Sequence, residues 1–411
     1  MNTMTAGKTR AEELMALEDR YGAHNYHPLP VVLSRGEGVF VWDVNGKQYY
    51  DFLSAYSAVN QGHCHPKLVR TLAEQAGKLA LTSRAFYNDC LGEYEKFITT
   101  FFGYDKVLPM NTGVEAVETS IKLARRWGYK VKGIPDNHAK VVFVEGNFHG
   151  RTISSISAST DPSSYSHFGP LVPGYVIVPY NDLVALEKAF QDPHVAGFMF
   201  EPIQGEAGVV VPDEGYLKGI RDLCTKYKVL MIADEVQTGL ARTGKMLACD
   251  HENVRADVLV LGKALSGGML PVSAVLADDE IMLTIQPGEH GSTYGGNPIA
   301  SKVAIAALEI LRDENLSANA ERLGEILRCE LRAIKSSRVT AVRGKGLLNA
   351  IVIAPKDGTT AWDVCLKLME NGLLAKPTHG DIIRFAPPLV MNEEQLMECV
   401  AIIKKTLTEF E

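Results

Sequence analysis

Short continuous apolar runs alternate with stretches of helical periodicity through the middle of the chain. The runs Lys140–Glu145, Tyr175–Pro179, Gly197–Glu201, Val229–Asp234, Val258–Gly262 and Val272–Ala277 read as strands. They are apolar throughout rather than alternating, the signature of a sheet covered on both faces. Between them, Leu217, Ile220, Leu223, Cys224 and Tyr227 recur at helical spacing. Strand, helix, strand in this order predicts right-handed crossovers and a mostly parallel sheet.

The two ends read differently. Residues 38–50 predict a hairpin with Asn45-Gly46 as its turn. From about Asn297 a long helical stretch leads to a strand over Leu347–Ile353, then a helix ending at Asn371-Gly372. A last helix opens with the capping-box spacing of Asn392 and Gln395 and presents Leu396, Val400, Ile403 and Leu407 on one face. The expectation is a large α/β domain over 56–296, flanked by a smaller α+β domain built from both chain ends, residues 1–55 and 297–411. A chain of 411 residues is long enough for two such units.

Composition narrows the function classes. A hydrophobic content of 46%, a charged content of 22% and a net charge of −7 are ordinary for a globular protein and give no basic footprint for nucleic acid. No apolar stretch approaches the roughly 20 residues of a membrane helix. Met1 to Arg10 lack the apolar core of a signal peptide and are soon followed by acids, so a cytoplasmic location is expected. The alternative is the mitochondrial matrix after removal of a transit peptide. Seven cysteines without a CxxC pair suggest reduced, buried thiols. His63-Cys64-His65 resembles a metal site only superficially, because adjacent positions rarely share one ion. It reads as the turn before Pro66, and no metal is expected.

The chemistry concentrates at strand ends. The run ending at Gly262 delivers Lys263 into a glycine-rich turn, and the run from Val229 ends in Asp234-Glu235. Ligands bind at the carboxyl ends of strands in such sheets. A lysine there can form a Schiff base and an aspartate can hold a cationic ring nitrogen, which is the protein's half of pyridoxal phosphate (PLP) chemistry. Alone, Lys263 reads as a loop cation and Asp234 as a helix cap; together they favour the cofactor reading. Asn111-Thr112-Gly113-Val114-Glu115-Ala116 leads into an amphipathic helix, a natural phosphate seat that equally suits a plain cap. Phe148 and Arg151 in Phe148-His149-Gly150-Arg151 are candidates to stack on a ring and clamp a carboxylate, although in isolation they read as a core aromatic and a surface arginine. Past another strand end, Glu201 and Glu206 suggest one buried structural acid and one partner for an arginine.

These residues sit among longer motifs: Tyr21-Gly22-Ala23-His24-Asn25-Tyr26, Ser57-Ala58-Val59-Asn60-Gln61-Gly62-His63, Ala233-Asp234-Glu235-Val236-Gln237-Thr238-Gly239, Gly288-Glu289-His290-Gly291-Ser292-Thr293-Tyr294 and Gly380-Asp381-Ile382-Ile383-Arg384-Phe385-Ala386-Pro387-Pro388. From about Tyr21 to the C-terminus the chain resembles the class III aminotransferases of PLP fold type I, most of all their ornithine-specific branch. The resemblance implies a homodimer that moves the δ-amino group of ornithine to 2-oxoglutarate. It implies that Lys263 joins the cofactor, Asp234 pairs with the ring nitrogen and Gln237 contacts the ring hydroxyl. Gly113 and Val114 would offer N–H groups to the phosphate, with Thr293 reaching it from a second subunit, and Phe148 would stack on the ring. Tyr26 and Arg151 would hold the α-amino and α-carboxylate groups of ornithine, and Tyr56 would line the pocket. Arg384 would grip the α-carboxylate of 2-oxoglutarate, and Glu206 would mask it while ornithine is bound. The rivals are a relative acting on acetylornithine or 4-aminobutyrate, and an inactive binding protein on the same fold.

Overall fold

The computed structural model describes residues 8–356 and 358–411. Its central sheet has seven strands: β1 Lys106–Met110, β2 Lys140–Val144, β3 Tyr175–Val178, β4 Val195–Phe200, β5 Leu230–Asp234, β6 Val258–Leu261 and β7 Ser273–Ala277. Across the sheet they run β1-β7-β6-β5-β4-β2-β3. All neighbours are parallel except β7, which is antiparallel to both β1 and β6. Every residue of β4, β5, β6 and β7 is buried, which is why these strands are apolar on both faces.

Six of the strands fall where the apolar runs predict them, with ends moved by one or two residues. β1 was not expected, because Pro109 sits inside it. A proline removes one ladder donor and is tolerated on an edge strand. β1 is such an edge, paired only with β7.

The helices carry the burial that their periodicity implies. Helix Tyr216–Tyr227 buries Tyr216, Leu217, Ile220 and Cys224 against the sheet. Helix Gly113–Trp127 starts from a Thr112–Glu115 capping box and buries Val117, Ile121 and Ala124. Helix Glu393–Thr408 has the Asn392–Gln395 box and buries Leu396, Val400, Ile403 and Leu407.

The N-terminal hairpin forms from Phe40–Asp43 and Gln48–Asp51, with Gly46 at φ 86° in its turn. Gln48–Asp51 also pairs in parallel with Leu373–Leu374, so the two chain ends share one four-stranded sheet. A third sheet holds Val339–Lys345, Leu348–Ile353, Lys376–Thr378 and Ile382–Phe385. Its last strand carries Arg384 towards the end of the central sheet. All seven cysteines are free; five are buried, but Cys64 and Cys329 are exposed, contrary to the expectation of burial throughout.

Candidate active site

A cavity of about 190 Å³ opens at the carboxyl ends of β5 and β6. Gly113, Val114, Phe148, Asp234, Gln237 and Lys263 line it, so the structure gathers six residues singled out from separate stretches of sequence. His149 and Glu201 line it too.

Lys263 follows Gly262 at the end of β6, with φ 45°. A non-glycine residue in the left-handed region is held there by its surroundings, a feature that clusters at functional sites. Burial lowers the Lys263 pKa below the usual lysine range; Glu206 opposes this and Arg384 reinforces it. The neutral amine needed for nucleophilic and proton-transfer work is therefore more accessible than on a surface lysine.

Asp234 ends β5 and is buried. Its Oδ2 lies 2.6 Å from His149 Nδ1, and its Oδ1 accepts from the Val236 N–H at 3.1 Å. Burial disfavours the charged form of His149, but the hydrogen bond and charge of Asp234 outweigh it and hold the imidazole above its usual range. The partnership fixes the orientation of the carboxylate. Glu201, just past β4, accepts from the Phe148 N–H at 2.9 Å. Burial pushes its pKa up to about 7, so it is the buried structural acid of the pair anticipated in sequence.

Glu206 is the arginine partner. Its Oε1 accepts from Arg384 Nη1 at 2.7 Å and from Gln237 Nε2 at 2.9 Å. The Arg384 side chain is 3% exposed and that of Glu206 23%. Burial alone would raise the Glu206 pKa, but Arg384 and Lys263 bring it down to about 2. Gln237 completes the group by accepting from Arg384 Nη1 at 3.2 Å, so its amide joins the cavity to the ion pair. The Gln237 side chain occupies the space next to Gly205, where an added Cβ would stand 1.6 Å from its Oε1.

Tyr56 packs its ring against the same arginine, with Arg384 Cζ 5.1 Å from the ring centroid. It belongs to four consecutive non-glycine residues, Ser54 to Ser57, with φ between 47° and 71°. Such a left-handed turn costs about 1–2 kcal/mol per residue for L-amino acids. Arg151 stacks over Phe148 with Cζ 5.3 Å from the centroid and donates to Ser164 Oγ at 2.8 Å. Tyr26 is exposed, beside Lys376. Thr293 is exposed on its loop and does not line this cavity.

The histidine motif resolves differently from a metal site. His63 Nε2 pairs with Asp51 Oδ2 at 2.7 Å and His65 Nε2 with Glu314 Oε1 at 3.0 Å. Helix Pro66–Lys78 begins directly afterwards. Among the described residues no group of three or more His, Cys, Asp or Glu is placed to hold a metal.

The cavity suits PLP on its own features. Gly113 lets the phosphate turn close on the sheet, since a Cβ there would meet Val236 Cγ1 at 2.9 Å. The N–H groups of the first helical turn have no intrahelical acceptor and face the positive end of the helix dipole. A lysine and a hydrogen-bonded carboxylate share the same enclosure. Fold and site thus define a PLP enzyme of fold type I.

The comparisons agree. The class-III aminotransferase profile matches residues 21–407. The chain is 66% identical to a mitochondrial ornithine aminotransferase of Rattus norvegicus, over 98% of this chain and 92% of that one. Among solved structures, the acetylornithine aminotransferase of Elizabethkingia anophelis is 60% identical with a TM-score of 0.90, covering 98% of this chain and 100% of that one. The ornithine aminotransferase of Toxoplasma gondii is 48% identical with a TM-score of 0.96, covering 98% and 96%. The chain belongs to the class III aminotransferases, which use PLP.

Proposed function

We infer that the enzyme transfers the δ-amino group of L-ornithine to 2-oxoglutarate, giving glutamate 5-semialdehyde and glutamate. Near-full-length identity to the rat ornithine aminotransferase carries this reading. The buried Glu206–Arg384 pair gives it a physical basis.

PLP, when bound, supplies an aldehyde that accepts amino groups and a ring that draws off electrons. The rest falls to the protein. Lys263 would hold the cofactor and, once released, its Nζ takes the proton from the δ-carbon of ornithine. Asp234, fixed by His149, would keep a proton on the ring nitrogen. Gly113, Val114, Phe148 and Gln237 would hold phosphate, ring face and ring hydroxyl. Arg151 and Tyr26 would take the α-carboxylate and α-amine of ornithine, with Tyr56 closing the pocket, so that the δ-amine faces Lys263. With Glu206 on Arg384, no free guanidinium competes for the α-carboxylate of ornithine. When 2-oxoglutarate binds, its own carboxylate replaces Glu206, and the α-carbon comes to the reacting position.

We further propose two units, 56–296 and the joined chain ends 1–55 with 297–411; the pairing of Gln48–Asp51 with Leu373–Leu374 supports the second. The exposed Thr293 suits a homodimer in which each subunit completes the other's phosphate site. The rat relative is named mitochondrial, which supports the matrix rather than the expected cytoplasm. Among the described residues no helix is long and apolar enough to cross a membrane.

The Elizabethkingia structure keeps acetylornithine as a second reading. The test is a half-reaction of the purified enzyme with ornithine, acetylornithine or 4-aminobutyrate, followed by the cofactor's absorbance. Ornithine converts the spectrum fastest; faster conversion by acetylornithine would overturn the assignment.

A further inference from the structure

The segment that carries Tyr56 breaks two local rules at once. Ser54, Ala55, Tyr56 and Ser57 are all left-handed, although none is glycine or asparagine. The Ser54 hydroxyl is fully buried without a partner among the described residues. Costs of this kind persist where the surroundings over-determine the backbone, and they gather at functional sites.

The surroundings here are explicit. Asp51 Oδ1 accepts from both the Leu53 and Ser54 N–H groups at 2.8 Å, while Oδ2 is held by His63. The Ser54 carbonyl accepts from the Ala58 and Val59 N–H groups at 2.8 and 3.1 Å. The Phe52 carbonyl accepts from the Ala386 N–H at 2.8 Å, and the Phe52 and Phe385 rings meet edge-on at 5.7 Å. The turn is therefore tied to the very strand that presents Arg384, and Tyr56 comes off it onto the Arg384 guanidinium.

We propose that the left-handed turn Ser54–Ser57, clamped by Asp51 and through it by His63, is the positioning element that keeps Tyr56 on Arg384 and thereby sets the preference for ornithine's δ-end over glutamate's α-end. This rests on the function argued above. A turn free to relax to right-handed geometry withdraws the Tyr56 ring, weakens the ornithine pocket and leaves Arg384 less covered, so an incoming α-carboxylate gains. Ser54 to Ser57 are positioning residues; only the Tyr56 ring touches the gate.

The side chain of Ala55 is exposed, so it can be changed without touching the core. Valine, β-branched, is a genuine outlier at positive φ, whereas glycine and asparagine adopt it readily. Asparagine also controls for added bulk. The experiment compares ornithine and glutamate half-reactions of the holoenzyme for wild type, Ala55→Val, Ala55→Asn, Ala55→Gly and Asp51→Asn. The last keeps an oxygen to accept from Leu53 and Ser54. Melting temperature and hydrogen exchange over residues 53–59 are followed alongside. Ala55→Val lowers the ornithine-to-glutamate rate ratio about fivefold or more and speeds exchange in the turn. Ala55→Asn and Ala55→Gly keep the ratio within about twofold, whereas Asp51→Asn, which loses the charge paired with His63, lowers it in the direction of Ala55→Val. The proposal is overturned if Ala55→Val keeps the wild-type ratio, if both half-reactions slow in parallel, or if Ala55→Asn behaves like Ala55→Val. A wild type that does not react with ornithine overturns the functional reading instead, and is seen before any variant is compared.

Discussion

Glu206→Gln separates the charge of the gate from its shape. The amide occupies the carboxylate's volume and keeps an oxygen for Arg384 Nη1, now 2.7 Å from Glu206 Oε1. What is lost is the charge. Arg384 keeps its own charge, so only the charge–charge coupling is lost, which for close pairs amounts to about 1.5 kcal/mol or more. The depressed carboxyl gives a second measure. A pKa of about 2 instead of 4.5 corresponds to about 3 kcal/mol in favour of the charged form, shared among Arg384, Lys263 and Gln237 and net of the opposing penalty of burial. At about 1.4 kcal/mol per factor of ten, the two figures bracket a change of roughly tenfold to a hundredfold. Arg384 then binds an incoming α-carboxylate more readily, so glutamate improves as donor relative to ornithine by that factor. Single-turnover rates with each donor measure the ratio in variant and wild type. An unchanged ratio, or a ratio shifted towards ornithine, refutes the gate.

Other outcomes follow from the same geometry. Lys263→Ala abolishes transamination while circular dichroism and melting show a folded protein; near-normal turnover would reject the assignment of this lysine. Asp234→Asn lowers turnover far more than cofactor occupancy, measured by absorbance and by the cofactor released on denaturation, because an amide supports a ring cation less well than a carboxylate. Gly205→Ala drives the Gln237 side chain from its place against Glu206 and Arg384, since the new Cβ would lie 1.6 Å from Oε1; the ornithine half-reaction slows several-fold with the fold retained. Glu201 has a folded pKa of about 7, above its ordinary 4.5. Its contribution to stability is complete below about pH 4.5 and is lost as pH rises through about 7. The melting temperature of wild type relative to Glu201→Gln therefore falls between pH 5 and pH 8, and a difference that stays flat would show Glu201 is not protonated in the fold.

Much of this was legible in the chain because burial and chemistry speak through simple patterns. Strands buried on both faces write unbroken apolar runs, and six of seven were readable. The seventh, Lys106–Met110, hides behind Pro109, tolerated only because the strand is an edge. Lys263 and Asp234 stand out by their places at strand ends, Gly113 and Phe148 only weakly until the family resemblance is added, and the structure brings the four to one cavity. His149 carries no signal of its own within Phe148-His149-Gly150-Arg151. Nothing local says that a histidine leaving β2 will meet a carboxylate leaving β5, which requires the strand order. The turn at Ser54–Ser57 was hidden more deeply. Left-handed backbone is normally announced by glycine or asparagine, and here the clamp comes from Asp51, whose side chain gives no sign in sequence of capping two N–H groups. The joint hold of Gln237 on Glu206 and Arg384 likewise belongs to tertiary structure, since the three come from separate loops and a different sheet.

The nitrogen leaves ornithine from its δ-position. Ornithine labelled with ¹⁵N at the δ-amino group, incubated with the enzyme and 2-oxoglutarate, tests it by mass spectrometry of the glutamate formed. The expected products are glutamate carrying the label and glutamate 5-semialdehyde. Unlabelled glutamate, with the label retained in the ornithine-derived product, would contradict it.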